Sequence, residues 1–119
     1  MNDVREIAES VDCLGRRIIA KATLFPKGIH ASLYGGDLPH IGAVTIISPD
    51  GEEETVLFPT HRDDVVSRRW GERLKDEGFL PAVVEAGVHY DGLTKDGINA
   101  VVQATDALLD KLLRTIHGE

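Results

Sequence analysis

A chain of 119 residues carries a formal charge of −7, from 13 Lys and Arg against 20 Asp and Glu. Apolar residues make up 42% and aromatics only 5%, which predicts a single domain over 1–119 with a core of Val, Ile, Leu and Ala. The acidic balance argues against nucleic acid as main partner, since phosphate neutralisation needs a basic face, and no window approaches the length of a membrane-spanning helix.

The opening stretch, MNDVREIAES, lacks the basic start and apolar run of a signal peptide. With Cys13 alone there is no internal disulfide, so a cytoplasmic setting is expected. A small apolar filler is the economical reading of Cys13.

Residues 1–14 are polar and acidic and read as a frayed lead-in or a short helix. The alternating, β-branched run RRIIAKATLF predicts a strand, and FPKG a tight turn. A second strand, GIHASLYGG, places Ile29, Ala31 and Leu33 on one face and His30, Ser32 and Tyr34 on the other. The loop GGDLPHIG then holds more special residues than a plain hairpin requires. Beyond it, IGAVTIIS is apolar at successive positions, as in a strand buried on both sides. SPDGEE is a hairpin signal, and ETVLF closes a four-stranded antiparallel meander.

The period then lengthens. Thr60 caps a helix whose first turn holds Asp63 and Asp64, with Val66, Trp70 and Leu74 as its buried stripe and Gly78 as its stop. PAVVEAGVHY is a fifth strand, with Val84, Ala86 and Val88 facing one way and Glu85 and His89 the other. After DGLT, Thr94 caps a last helix whose apolar positions run from Ile98 to Ile116. The predicted fold is α+β: an antiparallel meander sheet of about five strands with two helices on one face. Ala20, Leu24, Val44 and Ile46 belong to strands apolar on both sides, so the second face needs a cover, and a second copy of the chain is the simplest one.

Three kinds of chemistry are compatible with the polar residues. His40, His61 and His89, with Asp37 or Asp91, compose a metal set, although no HxH or HxxxH pair supports it. Asp37 with His40, or His61 with Asp63 and Asp64, composes an acid–base dyad, but no nucleophile accompanies it. Helix starts at Thr60 and Thr94, beside Arg62 and Lys95, compose an anion site, with Gly35 and Gly36 allowing close backbone approach. Arg68, Arg69 and Arg73 read as a solvated face paired along the helix with Glu72, Asp76 and Glu77; Arg69, beside Trp70, is the one that could turn toward a ligand.

Three segments together, Gly35–Gly42, His61–Asp64 and Gly87–Lys95, resemble the LpdD-like family of prenylated-flavin chaperones, small proteins associated with UbiD-type decarboxylases. The features that match are a glycine-glycine-aspartate loop leading through Pro39 and His40 into a strand, a histidine-initiated helix, and a Gly-Val-His strand end before a Thr-Lys helix start. The resemblance covers roughly residues 16–113. It implies a non-enzymatic homodimer that binds reduced prenylated FMN and loads it into an apo UbiD-type decarboxylase. The fold implied is similar to that of small proteasome-assembly chaperones. The same resemblance implies a ligand-facing loop at Gly35, Gly36, Asp37, Pro39 and His40. The phosphate falls to a helix N-terminus such as that at Thr94, with Arg62 or Lys95, and hydrogen bonds come from His40, His61 and His89. Two other readings stay open: a small metal-dependent or acid–base enzyme using the three histidines, and an assembly factor that needs no ligand.

Overall fold

The computed structural model describes residues 3–59 and 62–119; the expected cap at Thr60 and the expected ligand His61 lie outside the described residues. Six strands and two helices follow in chain order: β1 Arg5–Cys13, β2 Arg16–Leu24, β3 Ile29–Gly36, β4 Ala43–Ile47, β5 Glu53–Leu57, α1 Asp64–Asp76, β6 Ala82–His89 and α2 Lys95–Ile116.

The first correction concerns the expected lead-in or helix over 1–14, where Arg5–Cys13 form an edge strand. Ile7, Val11 and Cys13 recur at the two-residue period and face the core cluster, while intervening charges mask the pattern. The second concerns topology. The sheet is six-stranded, in the order β1-β2-β3-β6-β4-β5. β6 inserts between β3 and β4, parallel to β3 and antiparallel to β4, so the four-stranded meander does not exist and the sheet is mixed. In β6, Val84 is fully buried and Val83 half-buried, against the exposed Val56 and Leu57 of edge strand β5.

Local readings hold where the signal is local. The β4–β5 hairpin closes through Ser48 N–H to the Glu52 carbonyl at 2.9 Å and Gly51 N–H to the Ser48 carbonyl at 2.8 Å. Val66, Trp70 and Leu74 are the buried stripe of α1. Thr94 caps α2, its hydroxyl accepting the Gly97 N–H at 3.1 Å.

Both helices cover one face of the sheet. There Ile18, Ala20, Ala31, Leu33, Val84 and Ile47 pack against Trp70, Leu74, Leu108 and Leu112. The Trp70 indole N–H donates to the Thr105 carbonyl at 3.2 Å, so its polar atom is satisfied inside the core. Arg69 and Arg73 bridge to Asp106 and Asp110 of α2, so their ion pairs run between the helices and not only along α1.

Register assigns the uncovered face to Arg17, Ile19 and Lys21 on β2, His30, Ser32 and Tyr34 on β3, Val83 and Glu85 on β6, Val44 and Ile46 on β4, and Glu54 and Val56 on β5. Of the four residues named for strands apolar on both sides, Ala20 lies under the helices and is fully buried, and Leu24 is on that same side, so neither contributes to the open face. Val44 is half-buried and Ile46 is 41% exposed, so β4 is buried on one side only.

Candidate functional site

The loop between β3 and β4 arches over the end of β6 because β6 occupies the place beside β3. Its amides bond to that strand: Asp37 N–H to the His89 carbonyl at 2.6 Å, His40 N–H to that of Gly87 at 3.4 Å, and Gly42 N–H to that of Ala86 at 2.9 Å. Gly87 is required beneath it, since a Cβ there would fall 1.5 Å from the His40 carbonyl oxygen. Gly36 has φ +82°, and a Cβ on it would meet the His89 carbonyl at 2.2 Å. Gly35 packs as tightly on the backbone of Arg17 and Ile18. The close approach that these glycines permit is to the protein's own main chain.

Asp37 and His40 do not pair with each other. The Asp37 carboxylate accepts from Arg16 Nε at 2.8 Å and from the Asp91 N–H at 3.0 Å. Those contacts, the Asp91 amide first and Arg16 second, hold its carboxyl below the usual 3.8. His40 lies with its Nε2 2.9 Å from Asp63 Oδ2 and its Nδ1 2.9 Å from the Leu38 carbonyl. Asp63 is buried, and its other oxygen accepts the Val88 N–H at 3.0 Å. One carboxylate thus ties together the loop, the end of β6 and the start of α1. The sequence placed Asp63 with the helix charges or with His61; its role as a hub depends on a partner 23 residues away and leaves no local signal.

Beside this hub opens a cleft of about 320 Å³, at the lower end of the range for small-molecule sites. Its walls are Val65 and Val66 from the first turn of α1, Ile98, Val101 and Val102 from the first turns of α2, and Val88 and Leu93; its polar groups include His40, Arg62, Asp63 and His89. The rings of His40 and His89 meet edge to face, with centroids 6.4 Å apart. His89 is also 2.9 Å from Asp91 Oδ1, and the well-exposed Arg62 bridges to Asp64. At the cleft wall, burial pushes the Tyr90 phenol up to about 12, and the hydroxyl donates to the Cys13 carbonyl at 2.7 Å. Cys13 itself is a buried free thiol, as its reading as filler required.

The expected set is therefore partly assembled. His40, Arg62 and His89 converge on one cleft. Asp37 braces its rim, while Gly35 and Gly36 shape the loop from behind. Pro39 faces a second cleft on the open side of the sheet, with Ser32, Tyr34, Ile41 and Glu85, and His40 borders both. Thr94 and Lys95 stand at the start of α2 between the lining residues Leu93 and Ile98, without lining the cleft themselves. Sequence reasoning overlooked the apolar wall of α2, whose stripe it gave entirely to the core, and the Glu85–His30 pair on the open face. Among the described residues no group of three or more His, Cys, Asp and Glu side chains is placed to hold a metal ion, and no helix is long and apolar enough to cross a membrane.

A paired carboxylate and imidazole, a second imidazole and a guanidinium around an apolar slot can seat a planar, partly polar ligand by hydrogen bonds at one edge. Comparison with known proteins points the same way. The chain is similar to Protein LpdD of Lactiplantibacillus plantarum, 33% identical over 89 residues, which are 71% of this chain and 65% of that protein. The model of the prenylated flavin chaperone LpdD-like domain matches residues 12–117, which take in β2 to β6, the loop and both helices but only the end of β1, and the chain belongs to that family.

Proposed function

We propose that this protein is a non-enzymatic, cytoplasmic carrier of reduced prenylated FMN that hands its cargo to an apo UbiD-type decarboxylase. The observation that carries the reading is the apolar cleft with His40, His89 and Arg62 at its polar side, in a member of the prenylated-flavin chaperone family. Apolar walls with a few placed polar groups suit a flavin ring. The first turns of α1 and α2 both border the cleft, and helix N-termini favour an anionic group such as the flavin phosphate. The cleft is smaller than a whole flavin nucleotide, so the ring is assigned to it and the phosphate to its rim near Arg62 and Lys95. The carrier works as a homodimer closed over the open sheet face, where Val44, Ile46 and Val56 lie exposed or half-exposed.

Substitution of Gly36 is a poor test of this reading, because its backbone conformation and the His89 carbonyl tolerate no side chain. Half-buried His89 and exposed Arg62 serve better. Anaerobic titration with reduced prenylated FMN, followed by its absorbance and by comigration on a sizing column, should saturate near one ligand per chain. Arg62→Ala and His89→Ala should weaken binding by about tenfold each, the loss of one charge-assisted hydrogen bond. No binding by the wild-type protein, or undiminished binding by the folded double variant, would sink the assignment of this cleft.

A further inference from the structure

We infer that β5 is a strand-addition site for an extended, basic segment of another protein. The sheet ends at β1 on one side and β5 on the other, and the two edges are protected differently. Along β1, α2 supplies cover: Lys111 reaches the Ser10 carbonyl, Arg5 the Ile116 carbonyl and Thr115 the Glu9 carboxylate. Charged Glu6, Glu9 and Asp12 blunt the rest, as edge strands require.

On β5 the inner pairing is fixed by Ser48 with Glu52 and by Phe58 with Gly42. Even-numbered residues therefore bond to β4, and Glu53, Thr55 and Leu57 direct their N–H and carbonyl groups outward. Among the described residues no strand lies beyond them. The N-terminal half of this edge carries Glu52, Glu53 and Glu54, all exposed. The C-terminal half is apolar and open: Val56 is 50%, Leu57 40% and Phe58 44% exposed.

That division selects the occupant. A second copy pairing antiparallel about Thr55 would set Glu53 against Leu57 and Glu54 against Val56, carboxylates with no countercharge. Shifting the axis to Leu57 brings Pro59 opposite Thr55 of the copy, and proline has no N–H to complete the ladder. A segment of another protein that runs antiparallel to β5 meets neither obstacle, provided β-branched residues oppose Val56–Phe58 and Lys or Arg oppose Glu53 and Glu54. Main-chain bonds then supply affinity and the charge step supplies direction. This surface is separate from the flavin cleft and stands or falls without it.

The probe is the blocked peptide Val-Thr-Ile-Thr-Lys-Lys, with Lys-Lys-Thr-Ile-Thr-Val as the reversed control. Nuclear magnetic resonance of labelled protein should show slowed exchange of the Thr55 and Leu57 amides with the first peptide and weaker binding of the second. Leu57→Pro removes an outward N–H while sparing the β4 ladder, and should reduce affinity about tenfold. The surface variant Glu53→Lys/Glu54→Lys should transfer preference to Val-Thr-Ile-Thr-Glu-Glu. Failure of either peptide to protect these amides, equal binding of both, or unchanged affinity in folded Leu57→Pro would overturn the proposal, as would concentration-dependent protection of the edge without peptide.

Discussion

The two faces of the sheet are built to different rules. The helix-covered face is alternately small and large, Ala20, Ala31 and Ala82 among Ile18, Leu33 and Ile47, and it is closed to solvent. The open face mixes Ile19, Val44, Val83 and Tyr34 with Lys21, His30, Glu85 and Glu54, none of them fully buried. Close packing makes a face intolerant of substitution, whereas a partly wet one can change with little effect on folding. The contrast concentrates close packing on the helix-covered side, and the loop carrying His40 borders a cleft on each side.

The hardest test of that contrast is Trp70→Ala. Trp70 is fully buried at the junction of both helices with the sheet, and its loss should cost about 3–5 kcal/mol, read as a fall in the midpoint of chemical unfolding. A cost below about 1 kcal/mol would mean that the covered face is loosely packed. Next comes Asp63→Ala, which strands the Val88 N–H and removes the carboxylate beside His40 Nε2, and should cost about 1–3 kcal/mol. Asp63→Asn should restore part of that loss, since an amide oxygen can still accept from Val88.

Tyr90→Phe removes a buried hydroxyl donor to Cys13 and should cost about 1 kcal/mol at neutral pH. It also has a pH signature. The folded-state value of about 12 exceeds the ordinary 10.0, so the unfolded chain ionises first and stability falls as pH rises from 10.0 toward about 12. The Phe variant should lack that alkaline loss; an identical pH profile in both proteins would show that Tyr90 does not titrate with unfolding. The smallest expected effect belongs to Ile46→Lys on the open face. It should change the stability of the isolated chain by no more than about 0.5 kcal/mol while shifting the mass measured by sedimentation toward the monomer. A variant that unfolds instead would erase the distinction between the faces.

Asp37 behaves as the opposite sign case. Its carboxyl is held below 3.8 by the Asp91 amide and Arg16, so the brace at the loop is complete above that value and is lost as pH falls through the lower folded-state one.

Legibility followed the range of the interactions. The β4–β5 turn, the Val66–Trp70–Leu74 stripe and the cap at Thr94 are decided within a few residues, and each stands in the structure as expected. β1 was missed because its charged residues outnumber Ile7, Val11 and Cys13. The place of β6 was missed because nothing between Gly36 and Ala43 announces that the chain is stepping over a strand that comes much later. The same holds for the site: His40, His89 and Arg62 were visible as residue types, and His89 and Arg62 pair only two residues away, but the contact that builds the hub joins His40 to a carboxylate 23 residues on. Asp37 was one of two carboxylate–histidine pairings the residue types allowed, yet it belongs to Arg16, and the buried partner of His40 is Asp63.

β6 pairs with β3 on one side and β4 on the other, and this has a consequence for synthesis. While the chain is being made, β1–β2–β3 and β4–β5 can form only as two separate ladders, each with a bare edge facing the gap. They become one sheet when the last strand arrives, the kind of long-range closure that is slow and leaves edges exposed meanwhile. A chain that stops short of Ala82 consists of two half-sheets that share no strand, with no floor for the histidine cleft and two edges open to other chains.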